Sequence, residues 1–194
     1  MRARVPAFSN LPMKRSAIPR ICLAFAALGL VQAASVGAWS QTRSLKEIRE
    51  TDLLRQEWDT SCGAAALATV LTFTFNDPVS ERDVVSGLLR QTEPVIVRHR
   101  GGFSLLDMKR YVAERGYRAV GFSGMSIADI RYMDAPIVPV SFHGYSHYVV
   151  FRGVTGDGAV AIADPAFGNR TISRERFEDA WIEGMAFVIL RESA

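Results

Sequence analysis

The chain has 194 residues, 48% of them apolar and 22% charged, with eight prolines. That length suits one ordinary domain, and the balance excludes a disordered or low-complexity chain. The formal charge of +3 and the pI near 9.1 would point to nucleic acid or a membrane surface if the charge were spread evenly. It is not. Residues 1–38 hold Arg2, Arg4, Lys14, Arg15 and Arg20 and no acid, which leaves 18 basic against 20 acidic residues in 39–194, a net of −2.

The first element is therefore a leader. A basic stretch ending at Lys14, Arg15 and Arg20 precedes the apolar run Ile21–Val31, and small-residue cleavage sites follow at Val31-Gln32-Ala33 and Val36-Gly37-Ala38. Met13 is an alternative start that would give a shorter basic region. No charge lies between Arg20 and Arg43, so an uncleaved anchor is the rival reading, since a bilayer needs ~20 apolar residues. Gln32, Ser35, Ser40 and Gln41 dilute the second half and favour cleavage. Residues 1–38 are read as a signal peptide or signal anchor, 39–51 as a charged lead-in and 52–194 as the folded domain. Both readings of the leader place that domain in the periplasm or beyond, with the basic end left inside. Cys22 opens the apolar run instead of following it, which excludes a lipoprotein site. Cys62 is then the one cysteine of the exported part. Such a leftover thiol is kept for chemistry, pairs with another chain, or is a small buried hydrophobe.

In the domain, Ser61–Leu71 is alanine-rich and predicts a helix capped by Thr60 or Ser61. A second helix follows Pro78 with Ser80 as its cap and Val84, Val85, Leu88 and Leu89 at helical spacing. A third runs from the Ser104 cap through Arg115 to Gly116, and a short fourth covers Ser126–Tyr132. After Pro136 the pattern turns to strands at Ile137–Phe142 and Tyr148–Arg152, with a turn at Thr155–Gly158 leading into Ala159–Ala163. A last helix over Ser173–Trp181 and a terminal strand over Met185–Leu190 complete the chain. Helices first and an antiparallel sheet afterwards make an α+β fold.

Several of these elements carry residues suited to chemistry. Cys62 stands at the start of the first strong helix, where free N–H groups and the helix dipole stabilise a thiolate, and Gly63 leaves room for a substrate backbone. Gln56, six residues earlier, has a side-chain amide that could join the Cys62 N–H as an oxyanion hole for acyl transfer; alone it reads as an ordinary loop residue. Of three histidines, His99 sits among Arg98 and Arg100 and reads as a solvated loop, while His143 and His147 flank the turn Gly144-Tyr145-Ser146. His147 opens the apolar strand, so the sheet would hold its ring, and it is the better base for a cysteine nucleophile. Asp164, before Pro165, ends the next strand, and a hairpin at Thr155–Gly158 would bring it near His147 to orient the imidazole. An Asp-Pro turn without such a duty is the alternative, and Asn169 is a weaker substitute. One cysteine and three scattered histidines give no zinc spacing, the glycines match no phosphate loop, and no basic stripe interleaved with aromatics speaks for nucleic acid. No cofactor is expected.

Gln56-(five residues)-Cys62-Gly63-Ala64-Ala65, then Gly144-Tyr145-Ser146-His147-Tyr148-Val149-Val150, then Asp164-Pro165-Ala166-Phe167-Gly168, resembles the bacteriocin-processing, double-glycine-leader cysteine peptidases. Ile172–Phe177 and Trp181 extend the likeness, so that it covers Asp52 to Leu190. The resemblance implies a papain-like fold, with N-terminal helices packed on a C-terminal antiparallel sheet. It implies Cys62 as nucleophile, His147 as general base and acid, Asp164 as its orienter and Gln56 as oxyanion donor, with cleavage after a Gly-Gly pair. Members of the family are usually parts of ATP-driven exporters, whereas this chain shows an export leader and no nucleotide-binding motif. That departure is read as a stand-alone exported member of the kind that accompanies functional-amyloid secretion, with a peptide or protein substrate and a secretion system as partners. Two other readings stay open, a cysteine amidase acting on cell-wall peptides and an inactive peptidase-like module that binds a secretion partner.

Overall fold

The computed structural model describes residues 42–191; the leader, with Cys22 and both cleavage sites, lies outside the described residues. All of these but Thr42 belong to one compact unit. Five helices come first: α1 (Leu45–Arg49), α2 (Cys62–Phe75), α3 (Glu81–Leu89), α4 (Pro94–Arg100) and α5 (Leu105–Glu114). The strand β1 (Tyr117–Phe122) and helix α6 (Ile127–Ile130) lead to β2 (Ile137–Phe142), β3 (Tyr145–Val154), β4 (Val160–Asp164) and β5 (Gly168–Ile172). Helix α7 (Arg174–Ala180), a single 3₁₀ turn (Ile182–Gly184) and β6 (Ala186–Arg191) close the chain.

Local sequence accounts for most of these boundaries. Ser80, Ser104 and Ser126 each receive a backbone N–H three residues on and are reciprocated by Asp83, Asp107 and Asp129, a capping box at the start of α3, α5 and α6. Ser61 occupies the cap position of α2 but makes no side-chain cap; its hydroxyl instead donates to the Trp58 carbonyl at 2.7 Å. Four elements go beyond the sequence-based expectation. The charged lead-in contains α1, with its own Ser44–Glu47 capping box. The segment around His99 is the helix α4, started by Pro94 and leaving His99 exposed near its end. The strands β1 and β5 were not foreseen.

The sheet is antiparallel in the order β1-β6-β2-β3-β4-β5. Strand alternation gives it two apolar faces. Ile137, Val150, Ala163, Phe187 and Ile189 join Leu67, Leu71, Leu88 and Met108 in one core. Val138, Val149, Phe151 and Ile162 join Ile127, Ile130, Phe177 and Trp181 in the other. The N-terminal helices thus cover one face, as expected of the α+β class, and α6 and α7 cover the second. Helix α2 is apolar nearly all round, because it lies between the sheet and the other helices.

Gly63 has a packing role instead of the open approach that its sequence position implied. A Cβ there would lie 3.3 Å from the Tyr148 ring and 3.4 Å from the Met108 sulfur, so its hydrogen lets α2 seat against β3 and α5.

Leu67 lies at the centre of the larger core and is fully buried, so Leu67→Ala should lower the unfolding free energy by about 2–5 kcal/mol through lost burial and the cavity left. Leu106→Ala, on an exposed residue of the neighbouring α5, should stay within about 0.5 kcal/mol. Urea denaturation measures both, and equal losses would contradict this assignment of the core.

Candidate active site

Cys62 is the first residue of α2, a free thiol that is 6% exposed. As the first helical residue its N–H has no partner within the helix. It faces a cleft of about 450 Å³, lined from the helical side by Cys62, Gly101 and Gly102 and from the sheet by Pro139, Tyr145 and His147. A volume of that order admits a short stretch of peptide.

The sheet side is built by two turns. β2 and β3 are joined by His143-Gly144 alone, with Phe142 paired to Tyr145. Both turn residues have positive φ, 53° and 80°, the conformation whose twist matches a two-residue hairpin. This fixes the start of β3 and leaves His143 exposed on the turn. His147, third in β3, is 4% exposed.

The second turn carries Asp164. β3 and β4 form the hairpin read from Thr155–Gly158, closed by Gly158 N donating to Thr155 O at 2.9 Å and Thr155 N to Ala159 O at 2.8 Å. The register, with Val150 opposite Ala163, sets Asp164 diagonal to His147 on the same face of the sheet. Asp164 is fully buried, and its Oδ1 accepts from His147 Nε2 at 2.7 Å. The same Oδ1 accepts the N–H groups of Ala166 at 2.9 Å and Phe167 at 3.2 Å. The Asp-Pro turn and the contact with histidine, set against each other in the sequence, are made by one carboxylate.

With Nε2 committed to Asp164, the buried Nδ1 has no hydrogen-bond partner in the protein. It is the ring nitrogen left to exchange a proton. Burial pulls the imidazole down, but the hydrogen bond to Asp164, the nearness of the Cys62 thiol and the charge of both partners outweigh it and raise it from 6.5 to about 9. For Asp164, burial pushes upward, yet the His147 contact, the nearby Arg170 and the Ala166 N–H leave it below the usual carboxylate value.

Gln56 stands on the loop before α2. Its backbone N–H donates to Pro165 O at 3.0 Å, and Arg55 donates to the carbonyls of Pro165, at 2.9 Å, and Ala166. The loop leading to Cys62 is thereby tied to the loop after Asp164. One side-chain N–H of Gln56 donates to Trp58 O at 3.0 Å, while its buried Oε1 has no partner in the protein. Gln56 is not among the residues that line the cleft. Farther along, Glu57 N donates to both oxygens of Glu81, at 3.1 and 2.9 Å. Asn169, the weaker alternative to Asp164, donates to Thr51 O and ties β5 to the segment after α1.

Two groups at the site escaped the sequence reading. Arg170 Nη2 donates to the second oxygen of Asp164 at 2.7 Å, and Tyr145 reaches across to donate its hydroxyl to Asp59 O at 3.2 Å. Arg170 sits on a strand that was not foreseen, so nothing in the linear pattern linked it to Asp164. Among the described residues no cluster of His, Cys, Asp and Glu could hold a metal, and no helix is long and apolar enough to cross a membrane.

The chain is similar to known proteins in both sequence and fold. Residues 50–193 match the model of the peptidase C39 family. The probable functional amyloid protease FapD of Pseudomonas aeruginosa is 39% identical over 153 residues, covering 78% of this chain and 66% of that protein. Its counterpart in Pseudomonas fluorescens is 38% identical over 154 residues, with coverages of 79% and 67%. The chain spans about two thirds of the length of these curated relatives. Among solved structures, a double glycine motif protease from an AMS/PCAT transporter, in complex with the leader peptide, superposes with a TM-score of 0.59 at 23% identity over 72% of this chain and 91% of that one. The peptidase domain of Streptococcus ComA, a bifunctional ABC transporter involved in quorum sensing, gives 0.58 at 22% identity, covering 72% and 98%. At those identities the structures show a shared fold. The chain belongs to the peptidase C39 family.

The His147 environment has a consequence for stability. Because its folded value of about 9 lies above the ordinary 6.5, its contribution is complete below pH 6.5 and is lost as the pH rises towards 9. The unfolding free energy should therefore fall across that window more steeply in the wild type than in His147→Gln. Urea titrations at pH 6, 7.5 and 9 measure it, and parallel declines would contradict the assignment.

Proposed function

From membership of the peptidase C39 family, we propose that this chain is a cysteine endopeptidase in which Cys62 attacks, His147 carries the proton, Asp164 orients the imidazole and Gln56 serves the oxyanion. The observation that carries this reading is the buried 2.7 Å contact of His147 Nε2 with Asp164, which leaves Nδ1 as the ring's exchanging nitrogen beside Cys62. A pair of this kind works as thiolate and imidazolium. The thiolate forms a bond to the scissile carbonyl carbon as the carbonyl electron pair moves onto oxygen. The Cys62 N–H is one donor for that oxygen, and the Gln56 amide, held by Trp58 O outside the cleft lining, turns to it as the second. When the oxyanion collapses the C–N bond breaks, and the amine leaves with the proton from His147. The neutral imidazole then takes a proton from water, whose oxygen attacks the thioester. Collapse of this second oxyanion releases the carboxyl product and returns the Cys62 thiolate and the His147 imidazolium.

The substrate class follows the relatives. The Pseudomonas proteins are named for functional amyloid, and the transporter protease was solved with a leader peptide, which supports cleavage after a Gly-Gly type junction in an exported peptide or protein. The basic and apolar leader in residues 1–38 supports action in the periplasm or beyond, next to a secretion system.

Cys62→Ala should lower cleavage of a peptide bearing a Gly-Gly junction by about a thousandfold or more, with an unchanged circular dichroism spectrum. Mass spectrometry of the products reads the outcome. Cleavage at the wild-type rate by the folded variant would exclude this mechanism.

A further inference from the structure

The Asp164 carboxylate has two oxygens, and the proposed reaction uses one of them. Oδ1 accepts from His147 and from two backbone N–H groups of its own turn. Oδ2 accepts from Arg170 at 2.7 Å. Arg170 reaches it from β5, where the register sets Arg170 opposite Ile162 and Gly168 opposite Asp164, so the two side chains are diagonal neighbours on one face. Its guanidinium lies over two rings, 4.8 Å from the centre of Phe142 at the end of β2 and 5.3 Å from that of Phe167 in the loop after Asp164. A planar cation is held by such stacking in a way that an ammonium is not.

We propose that Arg170 is a positioning residue of this site, a permanent counter-ion that keeps Asp164 charged and aimed at His147 whether or not the imidazole holds its proton. The inference rests on the reading of Cys62, His147 and Asp164 as a peptidase site. In that reaction His147 is charged before attack and neutral after the amine leaves. In the neutral interval a fully buried carboxylate with no cation would be driven to take up a proton, and its hold on Nε2–H would weaken. Arg170, 30% exposed at its side chain, stays charged throughout and removes that drive. The charged and titratable groups facing the imidazole are Asp164 from β4, with Arg170 behind it on β5, Cys62 from α2 and Tyr145 from β3, whose ring centre is 6.0 Å away.

The test is made on two readouts. In the Cys62→Ala background, nitrogen-15 NMR follows the His147 titration with and without Arg170→Met. Removing the cation should move the midpoint upward by about half to one pH unit, and Arg170→Lys should return most of the shift. An unchanged midpoint in folded Arg170→Met would overturn the counter-ion role, whatever the protein cleaves. Should Arg170→Met not fold, Arg170→Gln gives the same reading. In the Cys62 protein, Arg170→Met should lower kcat about tenfold or more with KM little changed, and should move both limbs of the pH profile of kcat/KM upward. Wild-type kcat and limbs in that variant would also overturn the proposal. Absence of peptide cleavage by the wild type would instead count against the peptidase reading and leave the NMR result to stand by itself.

Discussion

The fold is organised around a carboxylate that water cannot reach. Asp164 is fully buried at the end of β4, where an ionised group without partners would cost several kcal/mol. It has four partners, two N–H groups of its own turn, His147 and Arg170. Each is supplied by a different constraint of the chain. The turn N–H groups come from the Asp-Pro loop, His147 from the hairpin that starts at His143-Gly144, and Arg170 from the edge strand β5. The geometry at His147 follows from this set, because the bond to Nε2 decides which ring nitrogen is left without a partner.

The helical and sheet halves of the site are joined by the loops beside them, through backbone carbonyls, the Gln56 N–H and the Arg55 side chain. Arg55 and Gln56 donate to the carbonyls of Pro165 and Ala166, and Glu57 is held by buried Glu81. The loop before Cys62 and the loop after Asp164 therefore behave as one piece. Gly63 adds a packing condition, since a Cβ there would press on Tyr148 at 3.3 Å and Met108 at 3.4 Å and make them give way by a few tenths of an ångström. Cys62 is thus placed by a helix that is buried on nearly every side, which suits the nucleophile role proposed for it, since that role needs a fixed position relative to a ring on another element.

Much of this was legible in the amino-acid sequence, for identifiable reasons. Capping serines with an acid three residues on announce α3, α5 and α6, and the β-rich runs announce β2, β3 and β4, because local chemistry sets those boundaries. The proximity of His147 and Asp164 was legible because one hairpin brings them together. β1 and β5 escaped because an edge strand is defined by its neighbour more than by its own composition; Gly168-Asn-Arg-Thr-Ile has little alternation, and its pairing with β4 makes it a strand. Arg170 escaped with it. Ser61 and Gly63 were found, but their roles were not, since a hydroxyl turned to Trp58 and a space filled by Tyr148 are tertiary facts.

The central claim is that the buried His147–Asp164 couple activates Cys62. The most direct measurement is the rate at which iodoacetamide alkylates Cys62 between pH 5 and 9, in the wild type and in Asp164→Asn. This account predicts rapid alkylation already below pH 7 in the wild type, and a rate in the variant that stays low there and climbs only at alkaline pH. A Cys62 inert below pH 7 in the wild type, or identical profiles in the two proteins, would contradict it.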